Sequence, residues 1–93
     1  MEVKYTKGFL NKLEDIFAES EYHLRYEKGN FQAGWCLLHN KKVILINKYY
    51  TTEGKINTIL DLLKNITINT DNLSDKNIKL LKQLDQTQKK LHL

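Results

Sequence analysis

The spacing of apolar residues changes period twice along the chain, and this change constrains the fold more than any other feature. Residues 7–19 repeat with the 3.6-residue period of a helix, and Thr6 is a candidate N-cap. From Tyr22 the apolar residues alternate with polar ones, which is typical of β-strands. The helical period returns after Thr51 or Thr52, at Ile56, Ile59, Leu60, Leu63 and Ile66. The pattern therefore predicts an α+β chain.

Two turn signals, Gly29-Asn30 and Asn40-Lys41, divide the alternating segment into three strands. The predicted strands are Tyr22–Glu27, Phe31–Leu38 and Val43–Asn47. If both turns are two-residue loops, Trp35 pairs with Leu24 on one side and with Ile46 on the other. The sequence therefore predicts a three-stranded antiparallel β-meander, with helices packed on one face and the element order α-β-β-β-α-α.

This register predicts one apolar sheet face and one mixed face. The apolar face carries Tyr22, Leu24, Tyr26, Phe31, Ala33, Trp35, Leu37, Ile44 and Ile46, and should pack on the first two helices. The mixed face carries polar side chains together with an apolar group, Cys36, Leu38, Val43 and Leu45. An apolar area of this kind usually has a cover. The third helix, a second copy of the chain or another protein are the alternatives.

The C-terminal part of the chain is predicted as a polar loop over 65–73 and a helix capped by Ser74. Its apolar stripe is Ile78, Leu81, Leu84 and Leu91. We predict a core domain over residues 1–67. Residues 68–93 then pack on that core or serve for association. The predicted partner-binding residues are Cys36, Leu38, Val43, Leu45, Leu81 and Leu84.

Composition narrows the function classes. The chain has 93 residues and a single cysteine, so no disulfide framework is possible, and no apolar run approaches the length of a membrane span. With no leader pattern at the start, we expect a cytoplasmic protein. The net charge of +4 is modest, and only Arg25 among the basic residues is arginine. Weak nucleic-acid binding through Lys41, Lys42, Lys48 and the C-terminal lysines is therefore an alternative function rather than the leading one.

Catalytic and cofactor motifs are not visible in the sequence, and we predict no metal site and no cofactor. One pair offers chemistry, because the meander places His23 opposite Cys36 on neighbouring strands. A thiol beside an imidazole can be activated as a nucleophile, so a thiol-dependent enzyme or sensor is an alternative function. The acidic residues of the first helix, Glu14, Asp15 and Glu19, are interpreted as a solvated face, with a cation site as the alternative.

Two family resemblances accompany these patterns. The segments 25–31 and 34–48 resemble small bacterial proteins of the Bacteroidetes type, over the range from Phe9 to Leu63, and this resemblance implies no known activity. A weaker resemblance is to zincin-like metallopeptidases, in which a strand ending in Ile-Asn precedes the zinc-binding helix. Here Leu60 and Lys64 occupy the positions of the two zinc histidines, and Asp61 stands for the glutamate. The resemblance therefore implies a shortened relative without zinc hydrolysis.

The leading prediction for function is a small cytoplasmic protein-interaction module that associates with itself and performs no catalysis. It depends on two observations, the lack of a catalytic motif and the apolar group on the second sheet face. Its predicted partner is a second copy of the chain, as a homodimer, or another protein.

Overall fold

The computed structural model describes residues 3–29 and 33–91, with the side chains of the last helix described as far as Asp85. The elements are α1 Lys7–Glu19, β1 Tyr22–Glu27, β2 Gly34–Leu38, β3 Lys41–Asn47, α2 Thr52–Asn65 and α3 Asp75–Leu91. The α+β class and the order α-β-β-β-α-α are as predicted. Within the described ranges, no helix is long and apolar enough to cross a membrane. The predicted strand residues Phe31 and Gln32 lie outside the described residues.

Side-chain caps explain where the helices begin. Thr6 Oγ1 accepts a hydrogen bond from the Phe9 N–H at 3.1 Å, and Thr51 Oγ1 accepts one from the Gly54 N–H at 3.0 Å. Ser74 Oγ accepts a longer bond, 3.4 Å, from the N–H three residues later. These bonds satisfy N–H groups that have no partner within the helix. Thr6 and Ser74 are caps that the sequence predicted, and Thr51 is one of the two residues at which it predicted α2 to begin.

The sheet is mixed, with the strand order β1-β3-β2. Strand β1 runs parallel to β3, whereas β2 runs antiparallel to it. Leu24 and Trp35 both pair with Ile44, from opposite sides, and do not pair with each other. The predicted antiparallel meander is therefore wrong in its strand order and in the direction of β1 relative to β3.

Strand β3 takes the central position because it is apolar on both faces. Val43 is 4% exposed and Ile44 is fully buried, although their side chains point to opposite faces of the sheet. Strands β1 and β2 therefore do not pair as a tight hairpin. Two bonds fasten the end of β1 and Gly29 to the end of β3, from Asn47 Nδ2 to the Gly29 carbonyl at 2.8 Å and from the Lys48 N–H to the Glu27 carbonyl at 2.9 Å.

The hairpin between β2 and β3 turns at His39 and Asn40, one residue earlier than predicted. Both residues have positive φ, 53° and 65°, as a type I′ turn requires. Trp35 consequently pairs with Ile44 rather than with Ile46, a register difference of two residues. Because side chains alternate with a period of two, an even difference leaves each described strand side chain on its predicted face.

The core lies between the sheet and the helices. Its buried members are Phe9, Leu10, Leu13, Ile16, Phe17, Tyr22, Ile44, Ile46, Ile56, Ile59 and Leu84. Helix α1 packs against β1 and α2, and α2 also packs against β3. Helix α3 joins this helical side of the sheet through Leu84, which is 2% exposed. The structure thus buries Leu84, which the sequence assigned to a partner-binding surface.

Candidate interaction surface

Strand β2 carries an exposed apolar surface, which we name the β2 edge surface and define as Trp35, Cys36, Leu37 and Leu38. Trp35 is 46% exposed, Leu37 64% and Leu38 45%, and the Cys36 thiol is also exposed. Among the described residues, β2 is paired on one side only, because β3 is its single neighbour in the sheet. Four consecutive apolar residues therefore lie at an open sheet edge, with no charged residue among them.

The tryptophan of this surface is held in place by neighbours on the helical face. Its ring meets the Tyr22 ring edge-on, with the ring centroids 6.2 Å apart and an angle of 89° between the planes. The Lys42 ammonium lies over the same tyrosine, 5.3 Å from the ring centroid. Trp35 thus offers a large apolar area whose position is already fixed by contacts within the chain.

The opposite sheet face is not covered by α3 at β2. Cys36 and Leu38 are exposed there, whereas Leu45 is half-buried. Val43 is almost fully buried, and it stands on the central strand between neighbours on both sides. Of the apolar group predicted on this face, the two β2 residues therefore remain accessible to a partner.

The predicted contact between His23 and Cys36 is wrong, because β3 lies between their strands. His23 is paired with Val43 from one side and Cys36 is paired with Val43 from the other. Their backbones are thus two strand spacings apart, about 10 Å. The Val43 side chain stands between the thiol and the imidazole, so the arrangement does not form a nucleophile–base pair.

A groove of about 680 Å³ runs along β1. Its walls include Glu14 and Phe17 from α1, and Val43 from the centre of the sheet. Within it the Tyr26 hydroxyl donates a hydrogen bond to Glu14 Oε2 at 2.5 Å. Burial, and secondarily the adjacent carboxylate, raise the pKa of Tyr26 well above its usual value. The phenol therefore stays protonated and acts as a fixed donor that joins β1 to α1.

The acidic residues of α1 form the predicted solvated face only in part, because Asp15 is exposed whereas Glu14 and Glu19 are half-buried. Besides the contact of Glu14 with β1, Asp15 and Glu19 both accept hydrogen bonds from Asn77 Nδ2, at 3.1 and 2.7 Å. Asn77 is 1% exposed and lies on the apolar stripe of α3, one turn before Leu81. A polar residue inside an apolar stripe was the signal for this contact. Within the described ranges, no group of three metal-ligating side chains occurs.

Among the described side chains, Lys41, Lys42 and Lys48, which were assigned to nucleic-acid binding, do not converge on one surface. Lys41 is the first residue of β3 and Lys48 follows its last, so the two residues lie at opposite ends of this central strand. Lys42 is engaged with the Tyr22 ring. Weak nucleic-acid binding stays a prediction, and the steep salt dependence that phosphate contacts produce is its test.

Comparisons with models of known protein families, with curated protein sequences and with solved structures find no match for the chain. The resemblances to small bacterial proteins and to zincin-like metallopeptidases therefore stay predictions. Leu60 and Lys64 do lie on α2, the helix that follows the strand end at Asn47.

Proposed function

We propose that the protein is a small interaction module that binds a protein strand along the β2 edge surface. The observation that carries the proposal is the exposure of four consecutive apolar residues on a strand with one open side. An edge strand presents unpaired N–H and C=O groups, and a second strand can pair with them. In such β-augmentation, main-chain hydrogen bonds supply affinity and alternate side chains supply specificity.

The chemistry of β2 favours strand binding because the usual protections of an edge strand are missing. Natural edge strands commonly carry lysine, proline or inward-pointing charge, which discourages pairing with other chains. The sequence Gly34–Leu38 contains none of these. The other edge strand, β1, follows the protective pattern, because Arg25 and Glu27 form an exposed ion pair on it at 2.8 Å. The contrast indicates that β2 is the edge suited to a partner.

The experiment compares capture by three tagged proteins, the wild type, Leu37→Lys and Tyr49→Lys. Leu37 is 64% exposed and Tyr49 is 69% exposed, so neither substitution disturbs the core, but only Leu37 belongs to β2. We expect the wild type and Tyr49→Lys to capture at least one protein, which can be a second copy of the chain. We expect Leu37→Lys not to capture that protein. Circular dichroism of each variant verifies that the fold is retained.

The captured protein is then purified and mixed with the wild type for amide hydrogen exchange. Strand addition pairs the free amides of β2, so we expect slower exchange within residues 34–38 than in the isolated chain. Binding that leaves this exchange unchanged, or capture that is insensitive to Leu37→Lys, would contradict the proposal.

The thiol-dependent alternative needs Cys36 and His23 in contact, and the intervening strand argues against that pairing. We therefore put forward no catalytic role for the two residues. The exposed thiol is instead part of the surface that meets the partner.

A further inference from the structure

We propose that the strand bound at the β2 edge surface is β2 of a second copy of this chain. The two strands pair antiparallel about a two-fold axis at Cys36, and the two three-stranded sheets join into one sheet of six strands. This inference rests on the proposed function, because it names the occupant of the same surface. It also fixes which residues stand opposite each other, so it is testable separately.

The direction of the backbone groups supports this pairing. A two-residue hairpin loop closes with a hydrogen bond between its flanking residues, so Leu38 directs its backbone groups towards Lys41 of β3. Alternation along the strand then directs the backbone groups of Trp35 and Leu37 to the open edge. With Cys36 on the axis, Trp35 stands opposite the partner's Leu37, and each of these pairs exchanges two hydrogen bonds.

The side chains are complementary under the same two-fold axis. On the helical face, each Trp35 packs beside the partner's Leu37, and both are large, apolar and exposed in the single chain. On the other face, Gly34 stands opposite the partner's Leu38. Apart from Gly34 itself and its two neighbours in the chain, no atom lies within 4 Å of the position that a Cβ of Gly34 would occupy. The glycine therefore leaves room for the leucine that the axis brings to it.

Charge places no obstacle to the pairing of β2 with its own copy. Like charges directly opposite each other destabilise a strand pair. Self-pairing of β2 brings no charged residues together. In an antiparallel pair of β1 strands, by contrast, the register centred on Arg25 places that residue directly opposite its own copy. In some registers of the β2 pair, opposed side chains lie on the same face of the sheet. Of these, the register centred on Cys36 pairs all five residues of β2, whereas a register shifted by two residues pairs only three.

Oxidation by copper–phenanthroline tests the register, since Cys36 is the only cysteine in the chain. Opposed residues of antiparallel strands have Cα atoms about 4.5 to 5.5 Å apart, within the range that a disulfide spans. Two thiols release two protons to solvent and two electrons to two Cu(II) ions, which become Cu(I), and one S–S bond forms. We expect rapid conversion of the wild type to a disulfide-linked dimer, as seen on a non-reducing gel.

Two double variants provide matched controls. In Cys36→Ser/Leu37→Cys, the two cysteines become diagonal neighbours about 7 to 8 Å apart, beyond ready disulfide formation. In Cys36→Ser/Tyr49→Cys, the thiol is exposed away from β2 and reports random collision. We expect both to be oxidised to dimer much more slowly than the wild type. Faster linkage through residue 37 than through Cys36 would overturn the register.

Sedimentation equilibrium of the full chain measures self-association, and so tests the β2 dimer separately from the binding of another protein strand. We expect the wild type and Tyr49→Lys to dimerise, and Leu37→Lys to raise the dimer dissociation constant about tenfold or more, since both symmetric positions change at once. A wild type that stays monomeric overturns the inference. If it nevertheless captures a different protein in a manner sensitive to Leu37→Lys, the proposed function stands without it.

Discussion

The Asn77 side chain shows how one buried polar residue joins two helices that are far apart in sequence. Its amide donates to Asp15 and Glu19 of α1, and Glu19 Oε1 also accepts the Ser74 N–H at 2.9 Å. Buried polar groups are costly unless they are hydrogen-bonded, and here the amide is satisfied by two carboxylates. The start of α3 is therefore fastened to α1 by polar contacts, alongside the apolar contact of Leu84.

Replacing Asn77 by alanine should lower the free energy of unfolding by about 1–3 kcal/mol. The substitution removes both hydrogen bonds and leaves the two carboxylates without this donor. Urea denaturation at one fixed protein concentration measures the effect. Asn72→Ala, at an exposed position shortly before α3, is the control and should change stability by no more than about 0.5 kcal/mol. Equal stability of the two variants would show that the Asn77 contacts do not hold the helix.

The Glu19 carboxylate should make stability depend on pH. The Ser74 backbone N–H, and next the Asn77 amide, hold the pKa of Glu19 below its ordinary value of 4.5. The Glu19 carboxyl of the unfolded chain thus binds its proton more tightly than that of the folded chain. The contribution of ionised Glu19 to the free energy of unfolding is therefore present above pH 4.5 and is lost as pH falls through the lowered pKa. Glu19→Gln should be less stable than the wild type at neutral pH, with a difference that shrinks in acid. Urea denaturation along a pH series measures this, and a constant difference would contradict it.

At the scale of elements, local pattern predicted the strands and their faces but not their order. Which face a side chain occupies depends on alternation within one strand, which the sequence displays directly. The partner of β1 depends on contacts twenty residues away, such as Tyr22 with Lys42, and no local signal specifies them. The continuous apolar run from Val43 to Ile46 was the available clue, because a strand that is apolar on both faces suits the centre of a sheet.

The turn between β2 and β3 provides a test of the observed register. His39 has a φ of 53°, a left-handed conformation in which a β-branched residue is strained. His39→Val should therefore lower the free energy of unfolding by roughly 1–2 kcal/mol, whereas His39→Gly should be tolerated. Urea denaturation compares both with Lys41→Val, which places valine in an exposed strand position and should cost little. If His39→Val is harmless, the turn does not lie at His39 and Asn40.

At the scale of the whole molecule, the difference in strand order changes which apolar residues are exposed. A meander places β2 at the centre, so Trp35 and Leu37 were expected in the core. With β3 central, β2 becomes an edge and both residues are exposed. Cys36 and Leu38 were predicted to face a partner and are exposed, whereas Leu84 belongs to the core. The location of the surface thus follows from long-range pairing, which periodicity alone does not contain.

Stability and association should therefore respond to different substitutions. Leu84→Ala empties a core position and should lower the free energy of unfolding by about 2–5 kcal/mol, while the folded fraction still forms the Cys36 disulfide. Leu37→Lys should instead weaken association, while the free energy of unfolding of the dissociated chain changes by at most about 0.5 kcal/mol. Urea denaturation at two protein concentrations distinguishes them, because dimerisation raises the wild-type midpoint at the higher concentration. We expect Leu84→Ala to keep this concentration dependence and Leu37→Lys to lose it. A concentration dependence that survives Leu37→Lys would place the association surface away from β2.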